Sequence, residues 1–94
     1  NGIAYVDRIT EATHQIELQG VFILIGLVPN TDWLGQTVER NPFGEIVIDN
    51  HNATNVPGVF AAGDCTNSPY KQIIISMGSG ANAALSAFDY LIRN

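Results

Sequence analysis

Two stretches near the start of the chain, Ile3-Ala-Tyr-Val-Asp7 and Gln15-Ile-Glu-Leu-Gln19, alternate apolar with polar residues, the signature of half-buried strands. With Thr10 to His14 as the turn between them, they are expected to pair as a hairpin. Gly20 marks a corner into Val21-Phe-Ile-Leu-Ile25, a continuous apolar run rich in β-branched residues. Such a run predicts a strand covered on both faces. Gly26 to Thr31 contains Pro29-Asn30, which cannot continue a ladder, and reads as a connection. A short helix capped by Thr31 or Asp32 should run through Trp33-Leu34 to about Val38 and break at Asn41-Pro42-Phe-Gly44. Glu45-Ile-Val-Ile-Asp49 predicts another strand, and Asn50 to Asn55 a polar loop.

The last quarter of the chain changes period. Ile74, Met77, Ala81, Leu85, Phe88 and Ile92 recur every three or four residues, defining one stripe of a helix from about Lys71 to Arg93. About 22 helical residues span roughly 33 Å. Gly78 and Gly80 each cost about 1 kcal/mol relative to Ala in a helix, so close approach of backbone or ligand is expected there. Trp33, Phe22, Phe60 and Phe88 alternate with aliphatics and lack interleaved basic residues, which favours core positions over a base-stacking platform.

Between the polar loop and the helix lies the most informative segment, Thr54-Asn-Val-Pro-Gly-Val-Phe-Ala-Ala-Gly-Asp64. Pro57-Gly58 supplies a turn, Val59, Phe60, Ala61 and Ala62 a short strand that can be buried on both faces, and Gly63 room for a ligand to approach backbone. Asp64 then projects a carboxylate just past the strand's carboxyl end, where ligands of open α/β sheets usually sit and a sugar hydroxyl can donate to it.

This segment resembles the second FAD-binding motif of the pyridine nucleotide-disulfide oxidoreductases. Pro69-Tyr-Lys-Gln-Ile-Ile-Ile75, Gly78-Ser-Gly80 and Ala84-Leu-Ser-Ala-Phe-Asp-Tyr-Leu-Ile-Arg93 are similar to the C-terminus of the alkyl hydroperoxide reductase flavoproteins, which are thioredoxin reductase relatives. The resemblance runs from about Gly2 to Arg93. Ser79 and Asn82 depart from it, standing where charged residues are expected in close relatives. It implies that Asp64 binds the ribityl chain of FAD. It also implies that Lys71, Gln72 and Ile73, at the helix start, face the N1 and C2=O edge of the flavin, which becomes anionic on two-electron reduction. Unpaired amides of Gln72 and Ile73 would donate to that edge.

The fold implied is an α/β fragment: residues 1–26 as the final antiparallel strands of an NAD(P)H-binding domain, 27–32 as an interdomain crossover, and 33–94 as the C-terminal strands and long helix of an FAD domain. The activity implied is electron transfer from NADH or NADPH through FAD and a CxxC disulfide to a peroxiredoxin. The same segment of a thioredoxin reductase, and a non-enzymatic interaction module, are the competing readings.

Composition narrows the picture. Ninety-four residues allow one small domain, burying roughly 60–65% of the unfolded surface. The chain opens at Asn1 in what reads as mid-strand, so a piece of a longer protein is expected. The net charge of −5, with only Arg8, Arg40, Lys71 and Arg93 basic and scattered, argues against a nucleic-acid partner. The apolar runs fall far short of the ~20 residues that span a bilayer, no targeting segment is visible, and a cytoplasmic location is expected. Cys65 is alone, so it is expected to be a small packed residue and not half of a redox pair. His14 and His51 lack the neighbours of a metal site, and Asp7, Glu11 and Glu17 read as solvated strand-face carboxylates. No GxGxxG turn occurs in these residues, so the isolated chain is expected to be inactive and to hold flavin weakly at best. Unpaired strand edges and an uncovered helix stripe predict a homo-oligomer or a segment-swapped arrangement.

Overall fold

The computed structural model describes residues 1–94. Strands β1 (Gly2–Val6) and β2 (Thr13–Glu17) form the predicted antiparallel hairpin, with Tyr5 opposite His14 and Gly2 opposite Glu17. The alternation locates both strands, but the turn sits earlier than expected. Asp7 Oδ1 accepts from the amides of Ile9 and Thr10 at 2.8 and 3.2 Å, closing the reversal over Asp7–Thr10 and letting β2 begin at Thr13. The Tyr5 and His14 rings stack at 5.2 Å across the pair. The hairpin packs against no other regular element.

Val21–Ile25 is not a strand. It has no regular structure and no ladder partner, and Phe22, Leu24 and Ile25 are 94, 89 and 90% exposed. A strand needs a neighbour for its backbone groups, and none of these residues supplies one. The separation of hairpin from body stretches the molecule to 64 × 27 × 24 Å. Its accessible surface, 7766 Å², exceeds by roughly 2,500 Å² that of a typical folded monomer of this mass. Trp33 and Phe88, expected in the core, are 77 and 62% exposed; Phe60 alone of the four aromatics is half-buried, edge-on to Tyr90 at 6.2 Å.

The expected helix after Thr31 shortens to a single 3₁₀ turn, Asp32–Leu34, because Gly35 takes a positive φ of 56° and ends it. Residues 45–49 and 59–62 contribute isolated bridges in place of the expected strands. Ile46 bridges Arg40 on one side and Thr66 on the other, and Ala53 bridges Phe60. The small core gathers there, around Ile46 and Val38, with the buried polar residues Thr31, Asn52 and Thr66 all hydrogen-bonded.

Helix α1 (Ile73–Arg93) matches the predicted element within two residues, but its packed face differs. Ile74, Met77, Leu85, Phe88 and Ile92 lie on the exposed side, at 62–73% exposure. Ile75, Ser76, Ser79, Ala83 and Tyr90 turn toward the body. Small side chains let α1 approach the irregular 46–66 backbone closely, while the larger apolar residues find nothing among these 94 residues to cover them. Gly78 and Gly80 follow the same pattern: a Cβ at either would meet no atom within 4 Å. None of the helices is long and apolar enough to cross a membrane.

Candidate functional site

The Thr54–Asp64 segment folds through local hydrogen bonds more than through a ladder. The Thr54 amide and hydroxyl both donate to the Val59 carbonyl, at 3.0 and 2.8 Å, and the Val59 amide donates to Val56 O, closing the Pro57-Gly58 turn. Gly58 takes a φ of 82°, a left-handed conformation that glycine adopts without steric cost. The chain then passes the Phe60 bridge and reaches Gly63, where a φ of 89° turns it sharply. Val59 is 41% exposed and Phe60 to Ala62 are half-buried, so the two-sided burial expected of this strand is absent.

After Gly63 the backbone is held tightly. Thr66, fully buried, donates both its amide and its hydroxyl to Gly63 O, at 3.1 and 2.7 Å. Cys65 is half-buried; its Sγ donates to Ala62 O, and its carbonyl accepts the Ile46 amide at 2.8 Å. This knot lifts Asp64 into solvent. Its Oδ1 accepts from Ser76 Oγ at 2.9 Å, one turn into α1, while Oδ2 accepts nothing from the chain.

Lys71 stands just before the helix, in a region the macrodipole disfavours for a cation. Its neighbours offset that. Nζ donates to Glu45 Oε2 at 2.6 Å, to Thr66 O at 2.5 Å and to Ser68 O at 2.7 Å, which uses all three ammonium protons. Hydrogen bonds from Lys71 and then from the Asn41 side chain hold the Glu45 carboxyl below its ordinary range. Gln72 is extended, and its side chain makes no cap. The amides of Gln72 and Ile73 donate to no group of the chain.

Asp64, Glu45 and Lys71 meet Leu27, Val28, Pro29 and Phe43 around one open cleft of ≈ 300 Å³. An apolar wall with a few convergent polar groups suits a cofactor of mixed character. The Thr54–Val59 turn does not reach this cleft. It packs near Tyr90, about 21 Å further along the helix axis than Ser76, so Thr54, Pro57, Gly58 and Val59, expected at the cofactor, are not brought to this cleft. Ser76, Asn52 and Thr66 are not distinguished by the sequence. Ser76 sits inside an apolar helical run and gives no separate signal, while Asn52 and Thr66 are small polar residues in segments that read as loops.

Comparison with known proteins decides the lineage. The family pattern described as pyridine nucleotide-disulphide oxidoreductase matches residues 1–84. The chain belongs to this family. Its members are FAD- and NAD(P)H-linked oxidoreductases. The chain is 80% identical over its whole length to a protein of Ferdinandcohnia aciditolerans named NADH dehydrogenase, and 72% identical to one of that name from Bacillus subtilis. It is also 64% identical, over 98% of its length, to the F component of alkyl hydroperoxide reductase from Escherichia coli. In each case it spans 18% of the relative's length. Among solved structures, thioredoxin reductase from T. acidophilum superposes with a TM-score of 0.81 at 43% identity, over 97% of this chain and 30% of that one. Thioredoxin reductase from Lactococcus lactis gives 0.82 at 30% identity, over 99% and 31%. The family member is thus an α/β chain with a short antiparallel sheet and one long helix.

Proposed function

We propose that the chain supplies the ribityl- and pyrimidine-facing half of an FAD site in a longer NAD(P)H-dependent flavoprotein. The arrangement around Asp64 carries this reading: an exposed carboxylate, steered by Ser76 and with one oxygen free, and, one helical turn before Ser76, the undonated amides of Gln72 and Ile73. The free Oδ2 suits ribityl hydroxyls, and the two amides with the helix N-terminus suit the flavin edge that gains negative charge on reduction. FAD, when bound, supplies the two-electron chemistry. The chain's own residues orient the ribityl chain and favour the reduced state electrostatically. Residues 1–26 belong, in this proposal, to the NAD(P)H domain, 27–32 to the crossover, and 33–94 to the FAD domain. The pyrophosphate-binding glycine turn comes, in this proposal, from sequence beyond these 94 residues, and the relatives are long enough to hold it, since the chain spans 18% of their length.

NADH oxidation is the part of the reaction carried by the name of the Ferdinandcohnia and Bacillus relatives. Delivery of the electrons through a disulfide to a peroxiredoxin is the proposed continuation, supported by the similarity to the alkyl hydroperoxide reductase component. The two relatives named NADH dehydrogenase favour a second reading, in which the acceptor is some other oxidant. Asp64→Ala in the full-length protein tests the site: loss of bound FAD with retained fold is expected, and full flavin content in the variant would refute the assignment. Stopped-flow oxidation of the reduced protein by a peroxiredoxin disulfide, compared with oxygen, separates the two acceptors. On its own, the chain is proposed to self-associate through its uncovered apolar faces; a compact monomer by light scattering at high concentration contradicts this.

A further inference from the structure

Lys71 is the only lysine of the chain, and its surroundings assign it a role different from that of a ligand. Every ammonium proton is directed at protein: the Glu45 carboxylate and the carbonyls of Thr66 and Ser68. The Glu45 carboxylate is equally engaged, with Asn41 Nδ2 on its other oxygen at 2.7 Å. Both side chains of the ion pair are only 20–24% exposed. The contacts join three segments: the 45–46 stretch, the loop that follows Asp64, and the short lead-in to α1 that holds Lys71. At its near end the loop is tied to α1 by Ser76 and Asp64; at its far end it is tied by Lys71.

We propose that Lys71 is a positioning residue, which with Glu45 forms an electrically neutral strut on the cleft wall and fixes the Asp64 loop against the helix start, without itself binding the flavin. The proposal rests on the flavin reading above. It follows from geometry that a lysine with three short bonds to protein has no donor left for an incoming oxygen, and that a paired charge contributes little net field to the cleft. The free amides of Gln72 and Ile73 then carry the interaction with the flavin edge, and the strut keeps them at a constant distance from the Asp64 carboxylate.

The test measures the reduction potential of FAD in the full-length protein for Lys71→Met, Glu45→Gln and the double variant. Removing Lys71 leaves an uncompensated carboxylate and should lower the potential. Removing the Glu45 charge leaves an uncompensated ammonium and should raise it. The double variant should return to the wild-type value. A potential that stays low in the double variant identifies Lys71 as a direct flavin ligand and overturns the proposal, as do single variants that leave the potential unmoved. A second measurement needs no variant: acylation of Lys71 by an amine-directed reagent, followed by mass spectrometry, in the apo-protein and with FAD bound. The strut predicts equally slow modification in both; fast modification that FAD suppresses overturns it. A wild-type protein that holds no FAD refutes the flavin reading and the strut with it, whereas failure of the potential pattern in a yellow protein refutes only the strut.

Discussion

Asn52→Ala should be among the most damaging single substitutions in the chain. Asn52 is 4% exposed and adopts a φ of 61°. Its Nδ2 donates to Ala61 O at 3.0 Å and to Ser79 Oγ at 2.7 Å, and its carbonyl accepts the Ala61 amide. One residue therefore joins the loop before the Thr54–Asp64 segment, that segment itself and α1. Each side-chain hydrogen bond contributes about 1 kcal/mol net, so losing both costs about 2 kcal/mol. Alanine in the left-handed region adds about 1 kcal/mol that asparagine largely avoids. The sum, about 3 kcal/mol, is a large fraction of the roughly 5–14 kcal/mol typical of a domain this size. Asn52→Gly loses the same hydrogen bonds without the left-handed strain, and should be the milder variant by about 1 kcal/mol. Urea denaturation followed by far-ultraviolet circular dichroism measures both, and a cycle with Ser79→Ala should show coupling of about 1 kcal/mol. An alanine variant within about 0.5 kcal/mol of wild type, or a glycine variant less stable than the alanine one, would refute the reasoning.

Gly58→Ala should destabilise by about 1–2 kcal/mol in a thermal melt, since it forces alanine to a φ of 82° and places a Cβ 3.1 Å from Tyr90 Cε1. The near-ultraviolet signal of the Phe60–Tyr90 pair should weaken with it. Acid should destabilise the fold through three carboxylates whose folded pKa lies below the ordinary value: Asp7, held by the amides of Ile9 and Thr10; Asp49, held by those of Ala53 and His51; and Glu45, held by Lys71 and Asn41. Lowered folded values mean that their contribution is complete above the ordinary pKa values of 3.8 and 4.5 and is lost as pH falls through the folded ones. Denaturation midpoints should thus be level above about pH 5 and fall below it, and Asp49→Asn should flatten that fall.

Local patterns carry much of this structure. The hairpin and α1 are legible because each rests on periodicity within one short segment, and the sharp corner that exposes Asp64 because a turn, an apolar stretch and Gly-Asp occur in that order. The Val21–Ile25 run misleads because strand formation depends on a partner's backbone, which no feature of the run itself encodes. The face of α1 misleads for a related reason: a stripe of large apolar residues shows which side of a helix is to be covered, but not by what. Ser79 and Ala83 pack on the body because the facing backbone is irregular and close. The Lys71–Glu45 pair is beyond sequence reasoning, since it joins residues 26 positions apart through a loop held by its own hydrogen bonds.

The two open glycines of α1 make the helix a gauge of its surroundings. With no atom near a Cβ at Gly78 or Gly80, alanine at either position should stabilise the chain on its own by about 1 kcal/mol, the ordinary gain in helix propensity. Were another surface to lie directly against those positions in the proposed longer protein, the same methyl group would meet it and the sign would reverse. Comparing one substitution in the short and the long form thus reads out how closely α1 is approached, residue by residue, without any probe being attached.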